Sequence, residues 1–304
     1  MAQQNFIAET KYGKIRVKAG MFKGEIKNIS PEYEDCKKMA KQHKVPLKEI
    51  YKEVKKTGGI PFIVPAMGSH GGGMASGQTK VLRDFGISKE SLNIPIVSSM
   101  KTIKLGETKN NIPIYIDKNA MLADAIIIVA RIKPHTDFSG DIESGLLKML
   151  AVGLGKHKGA TIIHNYGIES FFKIIPEVGL KVIEKAPIVL GIALLENNFS
   201  KLSEIVAIDP ENFLEVEKKL LRKEKQLMPK LPFSEIDILL VNEIGKDISG
   251  AGMDPNIIGR SKSAEKNIGK NIHIIIPLDL TERTPGTEEE IAEVRRVMEK
   301  LQLV

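Results

Sequence analysis

A chain of 304 residues, 42% hydrophobic and 27% charged, with a mean hydropathy of −0.09, is long and apolar enough for one large core or two to three small ones. A net charge of +7 with basic residues spread along the chain, aromatics at 5% and no Trp argue against stacking platforms for nucleic acid, and a Lys-rich solvated surface accounts for the excess charge. The single cysteine, Cys36, excludes an internal disulfide framework and a Cys-ligated zinc site, so a metal has to be held by His and oxygen ligands or by a cofactor that brings its own sulfur.

No apolar run approaches the roughly 20 residues that span a bilayer, and the opening MAQQNFIAET has no charged-then-apolar signal pattern. A cytoplasmic protein without a membrane partner is expected. Residues 9–18, ETKYGKIRVK, alternate and predict one strand; Gly20 and Gly24 punctuate a turn before a second strand, Glu25 to Ile29. Ser30 as N-cap, Pro31 at the first helical position and the acids Glu32, Glu34 and Asp35 predict a helix to about Gln42. Pro46 opens a second helix, LKEIYKEVKK. Cys36 and His43 read as packing and surface residues of this small α+β unit. Its segments ETKYGKIRVKAG and PEYEDCKKMAKQHKVPLKEIYKEV resemble the C-terminal part of the nickel-insertion protein that metallates the pincer nucleotide cofactor of lactate racemase. The resemblance covers about the first 55 residues. The catalytic and CTP-using parts of such a protein have no counterpart here, so insertion activity does not carry over.

Gly58 and Gly59 mark a junction, after which IPFIVPAM predicts a buried strand ending in Gly68-Ser69-His70-Gly71-Gly72-Gly73. Glycines past a strand end let the backbone approach a ligand closely, and a helix predicted over Ser76 to Phe85 aims its N-terminus at the same place. His70 is either a functional residue on that rim or a structural one. Short strands are predicted over Asn93 to Ser98 and Ile112 to Asp117, and a longer one over 124–133. That strand leads into the stretch Arg131–His164, around which the chain is organised. Pro134 biases Lys133 toward an extended conformation, which puts His135 just past the strand end, where open α/β sheets bind ligands. An acid-containing loop follows (Ser139, Gly140, Asp141, Glu143, Ser144, Gly145), then an apolar segment carrying Lys148, then a Gly-punctuated loop to His164.

Beyond it, helical patterns occupy Ile168 to Ile175 and Val178 to Lys185, and PIVLGIALL, 187–195, is a buried strand. Residues 212–227 predict a helix with a charged outer face at the surface. Pro229 and Pro232 mark a boundary, strands are predicted over 236–244 and 271–280, and an amphipathic helix, TEEEIAEVRRVMEKL, comes last. His273, among β-branched neighbours, reads as a sheet residue. The alternation predicts a largely parallel α/β architecture in three parts: an α+β module over 1–57, an α/β domain over 58–228 and a partial second α/β domain over 229–304.

Two imidazoles on separate strand rims can face one substrate from opposite sides, one taking a proton while the other gives one, a layout suited to inverting a stereocentre. Lys148 is either a desolvated, nucleophilic amine or a helix lysine whose head reaches solvent. PFIVPAMGSHGG, IKPHTDFSGDIESGLLKMLAVGLGKHKGATIIHNYG and LPFSEIDILLVNEIGKDISGAGMDPNIIGR resemble the nickel-dependent lactate racemase superfamily, in its branch of uncharacterised homologues, over about residues 58–282. The resemblance implies two α/β domains with the active site in the cleft between them. It implies a nickel-pincer nucleotide, a pyridinium-3-thioamide-5-thiocarboxylic acid mononucleotide carrying nickel. Lys148 matches the Lys that joins it covalently through a thioamide, His164 the protein ligand to nickel, and His70 and His135 the proton acceptor and donor.

By the same resemblance the substrate is a small 2-hydroxy acid or related hydroxy compound, and cofactor-synthesis proteins are further partners. The loop between His135 and Lys148 is longer than in lactate racemase, and an Asp and an Arg that hold the nucleotide upstream in the family have no equivalent here. A racemase or epimerase, a non-catalytic cofactor carrier or maturation protein, and an inactive truncated relative are therefore all open readings.

Overall fold

The computed structural model describes residues 61–282 apart from 246, 250 and 260–270, together with Gly59 and three N-terminal strands. The helices predicted from Pro31 to Gln42, from Pro46 onward and at the end of the chain lie outside the described residues. Strand β1 (Ala2–Thr10) pairs antiparallel with β2 (Gly13–Phe22), and β2 pairs antiparallel with β3 (Glu25–Pro31). The single strand expected over 9–18 is thus the end of one strand and the start of the next, with Thr10 opposite Gly13. β3 also runs through Ser30 and Pro31, where a helix cap was expected.

The stretch 60–67 was expected to be a buried strand. Its described residues, 61–67, form only an isolated parallel bridge, Ile63 to Ile96, through Ile63 N–H to the Pro95 carbonyl and Val97 N–H to the Ile63 carbonyl. Pro61 and Pro65 carry no amide hydrogen, and a ladder cannot extend past them. The segment 93–98 is reduced to the same bridge. Helix α1 (Ala75–Asp84) follows the glycine loop as predicted, and the one-turn helix α2 (Lys89–Leu92) comes next. Strands β4 (Thr102–Glu107) and β5 (Pro113–Asp117) pair antiparallel, and a one-turn helix, α3 (Lys118–Met121), is capped by the Asp117 carboxylate.

The main sheet runs β6 (Ile126–Arg131), β7 (Ile188–Glu196) and β8 (Leu202–Ile208), in that order. β6 and β7 are parallel, so the chain between them must cross over, and it does so through a run of helical pieces. They include α4 (Leu146–Lys148), a π-helical turn (Met149–Gly153), α5 (Lys156–His164) and α6 (Phe171–Lys185). The stretch before His164 was read as loop; it is α5. The two helices expected on either side of Pro176 are one, because the buried face of Phe171, Ile174, Ile175, Val178 and Val182 outweighs the one hydrogen bond that Pro176 removes. β7 and β8 are an antiparallel pair closed by the Asn197 side chain, which accepts from the amides of Phe199 and Lys201. The sheets are therefore mixed, not largely parallel. Helix α7 (Phe213–Leu227) packs on β7. β9 (Glu235–Val241) and β10 (Asn271–Pro277) are parallel, and a one-turn helix, α8 (Pro255–Ile258), lies between them in sequence. Among the described residues no helix is long and apolar enough to cross a membrane.

The core lies under the crossover. Ile114, Ile132, Leu146, Leu150, Ile175 and Phe213 are all fully buried in one cluster. Two glycines let backbones meet there. A Cβ on Gly179 would lie 3.0 Å from the Leu147 carbonyl oxygen, so α6 lies against α4 at van der Waals range. A Cβ on Gly191 would lie 2.6 Å from the Phe213 ring and 2.7 Å from Leu146 Cδ1. Gly191→Ala is expected to destabilise the fold by about 1–3 kcal/mol through overpacking, read as a lower denaturant midpoint; a midpoint equal to wild type would show that Phe213 moves away freely.

Candidate active site

The rim after β6 is built by one buried carboxylate. Lys133 and Ser144 exchange backbone hydrogen bonds of 3.0 and 3.2 Å, which closes the intervening residues into a loop. Inside it Glu143, only 1% exposed, accepts from the amide of His135 at 2.6 Å, the amide of Gly140 at 3.3 Å and the Lys225 ammonium of α7 at 2.6 Å. The His135 carbonyl accepts from the Asn256 side chain of α8 at 3.2 Å, so both backbone polar groups of His135 are fixed. Its ring lies over Phe138 at 4.4 Å between centroids, and its Nδ1 accepts the Asp137 amide at 3.1 Å. A neutral imidazole that accepts at Nδ1 carries its proton on Nε2, and the hydrogen-bond pattern assigns that tautomer.

Lys148 ends α4, where the helix widens into the π-turn whose i to i+5 bond runs from Leu154 N–H to the Met149 carbonyl at 2.7 Å. Such single π-turns recur at functional sites. The ammonium lies 5.9 Å from the Phe138 ring centroid. Burial lowers its pKa to about 8, with Lys133 adding to the shift and Asp137 and Glu143 opposing it. Lys148 is half-buried, and the lowered pKa favours the desolvated amine of the two readings open for it. The segment is held from beneath by Glu217 of α7, which accepts the Leu147 amide at 3.1 Å. Gly145 leaves the room: a Cβ there would sit 2.3 Å from Glu217 Oε1.

His164 ends α5. Its Nδ1 lies 2.6 Å from the Ala160 carbonyl oxygen, so Nδ1 bears the hydrogen and the Nε2 lone pair stays available on an exposed ring. The ring stands edge-on to Phe171 at 5.1 Å, and Phe171 stands edge-on to Phe138 at 5.5 Å. The Phe138–Phe171 pair thus gathers His135, Lys148 and His164 around itself. His70 has no direct contact with that cluster among the described residues; its loop is joined to it through α5. It is exposed, its Nδ1 bonds the Met67 carbonyl at 2.9 Å, and its loop packs on the first half of α5. There a Cβ on Gly68 would meet Ala160 at 3.3 Å, and one on Gly73 would meet the His157 ring at 3.2 Å. Gly71, Gly72 and Gly73 have φ of 66°, 67° and 63°, three successive left-handed residues that only glycine adopts without strain.

Sequence reasoning passed over the acids that hold this site. Glu217 and Glu224 are buried on the apolar face of α7, spaced with Phe213, Leu220 and Leu221, and Glu224 accepts the Glu196 amide. A carboxylate in register with an apolar stripe was the available signal. The charged outer face expected for α7 is exposed, and these two acids lie on its inner face instead. Asp141, by contrast, is exposed near Lys218. Among the described residues no group of three or more His, Cys, Asp or Glu is arranged to hold a metal ion.

Residues 1–51 match the family of the nickel insertion protein. Over 46 residues the chain is 61% identical to the pyridinium-3,5-bisthiocarboxylic acid mononucleotide nickel insertion protein of Thermotoga petrophila, covering 15% of this chain and 12% of that protein. It is 46% identical over 50 residues to the protein of the same name from Desulfitobacterium hafniense, covering 16% and 12%. The chain spans about 12% of the length of these curated relatives. Among solved structures, it is similar to the lactate racemase apoprotein of Thermoanaerobacterium thermosaccharolyticum, with a TM-score of 0.47 and 16% identity over 65% of this chain and 48% of that one. It is also similar to a protein of Thermotoga maritima, with a TM-score of 0.48 and 16% identity over 66% and 55%. It spans about half the length of both.

Burial pushes the Glu217 carboxyl up to about 7, against the lowering effect of the Leu147 and Leu146 amides. A raised carboxyl favours the folded state when protonated, so its contribution is complete below the unfolded value of 4.5 and is lost as pH rises toward 7. The loss is on the order of 3 kcal/mol. Glu217→Gln is expected to flatten the fall in stability between these pH values, measured by denaturant unfolding at a series of pH; a fall as steep as in wild type would assign it to other groups.

Proposed function

We propose that the chain is a racemase or epimerase of a 2-hydroxy acid or related hydroxy compound that works with a nickel-pincer nucleotide. The gathering of His135, Lys148 and His164 around Phe138 and Phe171 carries this reading. The donor set suits such a group, which brings its own sulfur and carbon donors and asks the protein for one imidazole and one amine. Lys148, with its pKa lowered to about 8, is uncharged in about a tenth of molecules at pH 7 and is the amine for covalent attachment. His164 presents Nε2 as the ligand to nickel, its ring fixed by the Ala160 carbonyl. The group, when bound, supplies the hydride acceptor for the hydroxyl-bearing carbon.

The two remaining histidines are set in opposite tautomers. His70 bonds a carbonyl through Nδ1, so its Nε2 accepts a proton; His135 accepts an amide at Nδ1, so its Nε2 donates one. The His70 ring is ready to take the hydroxyl proton and become imidazolium; the His135 ring donates a hydrogen bond from Nε2 and, once it holds a second proton as imidazolium, returns one to the opposite face, each ring alternating between neutral and protonated forms. In this reading residues 1–57, 58–228 and 229–304 are separate units, and the protein acts in the cytoplasm alongside cofactor-synthesis proteins. A second reading, a carrier or maturation factor for the cofactor, is favoured by the match of residues 1–51.

The test is the full chain made together with the cofactor-synthesis proteins. The expected result is a mass adduct on Lys148 and equimolar nickel, with interconversion of at least one member of a panel of 2-hydroxy acids. Lys148→Ala should lose the adduct, and His164→Ala should keep it but lose nickel. His70→Asn and His135→Asn should keep both and slow interconversion by roughly 10²- to 10⁴-fold. Adduct and nickel without interconversion would select the carrier reading, and the absence of both would reject the proposal.

A further inference from the structure

Lys156 is buried completely, yet it takes part in none of the chemistry above. Two acceptors take hydrogen bonds from its ammonium, the Pro65 carbonyl at 2.5 Å and Gln78 Oε1 at 3.2 Å, and the Asp117 carboxylate pairs with its charge through Oδ2 at 3.4 Å. Gln78 and Asp117 are themselves fully buried. Asp117 is held in turn, since its Oδ1 accepts from the amides of Asn119 and Ala120 and its own amide donates to the Leu154 carbonyl just past the π-turn. Lys156 opens α5 with a φ of +54°, a left-handed conformation that a long side chain adopts only where its surroundings require it.

Gln78 connects this cluster to the site. A buried amide can be turned either way, and here the cation at its oxygen anchors one end of it. With Oε1 on Lys156, Nε2 faces the glycine loop and donates to the Gly68 carbonyl at 2.9 Å and the His70 carbonyl at 3.3 Å. A turned amide would set its oxygen against two carbonyl oxygens and its NH2 against the ammonium, so the cation and the two carbonyls hold Gln78 in the same orientation from opposite ends. A methionine would fill the same volume without desolvating a charge; what the charge adds is direction.

We propose that Lys156 is a positioning residue. Through Gln78 it fixes the backbone on either side of His70, and so holds the His70 ring in the tautomer bonded to the Met67 carbonyl. This rests on the acid–base role proposed for His70, but its first readout does not need activity.

In full-length apoprotein carrying ¹⁵N-histidine, the ring nitrogens of His70, assigned by its loss in His70→Asn, should report one tautomer with Nε2 unprotonated. Lys156→Met and Gln78→Leu should each turn this into a mixture of tautomers and leave the His164 signals unchanged. In loaded enzyme each should lower kcat tenfold or more with KM changed less than twofold, and the double variant should be no slower than the worse single one, since both act through one contact. Lys156→Arg, which keeps a cation at Gln78, should recover part of the rate. Should Lys156→Met fail to fold, Gln78→Leu carries the test alone. An unchanged His70 tautomer in the variants, or a mixture already present in wild type, overturns the proposal. Shifted tautomers in a protein that interconverts no hydroxy acid would instead leave the positioning role standing and remove the racemase reading.

Discussion

A carboxylate taken out of water must have its oxygens met, and Glu143 meets this requirement by drawing three parts of the chain together. The amide of His135, the amide of Gly140 and the ammonium of Lys225 converge on it. Each alone is one hydrogen bond, but the charge makes them strong, and removing any partner would leave a buried anion short of donors. The strand end, the acidic loop and α7 are thereby locked to one another. His135 inherits its position from that lock, as Phe138 does three residues later.

The same helix supports the neighbouring segment. Glu217 receives the Leu147 amide, one residue before Lys148, while Glu224 receives the Glu196 amide at the end of β7. α7 is thus a frame whose inner face carries acids at the points where the crossover needs acceptors. The cost of burying them shows in the raised pKa values of Glu217 and Glu224, both about 7. Glu143 has the Lys225 ammonium against it. The aromatic pair then does what polar contacts cannot: Phe138 and Phe171 give His135, Lys148 and His164 a common apolar neighbour without competing for their nitrogens.

Where sequence and structure agree, the signal was an uninterrupted period. The strands β6, β7, β9 and β10 and the helices α1 and α7 stand within a few residues of their predicted limits, because each carries enough apolar residues in register to declare itself. Where they differ, a local preference was overruled by contacts distant in sequence. The polar, glycine-bearing run before His164 looks like loop, yet Ala160 and Ile163 bury under the crossover and Gly159 lets α5 lie against Tyr115. Pro176 looks like a helix end, yet the packed face on both sides of it keeps α6 whole. In the site, the titratable residues of the organising stretch could be named from the chain. The groups that orient them could not, since Gln78, Asp117 and Lys156 are far apart in sequence and only the fold makes them neighbours.

The three glycines after His70 wind the backbone in the opposite screw sense to every helix around them. Such a turn tolerates only an achiral residue, and replacing any of the three would require the backbone there to take a different path. This part of the rim is consequently closed to gradual change. Diversification of what the site accepts has to come from its other walls, above all the segment between His135 and Lys148, where side chains can be exchanged without reversing the hand of the chain.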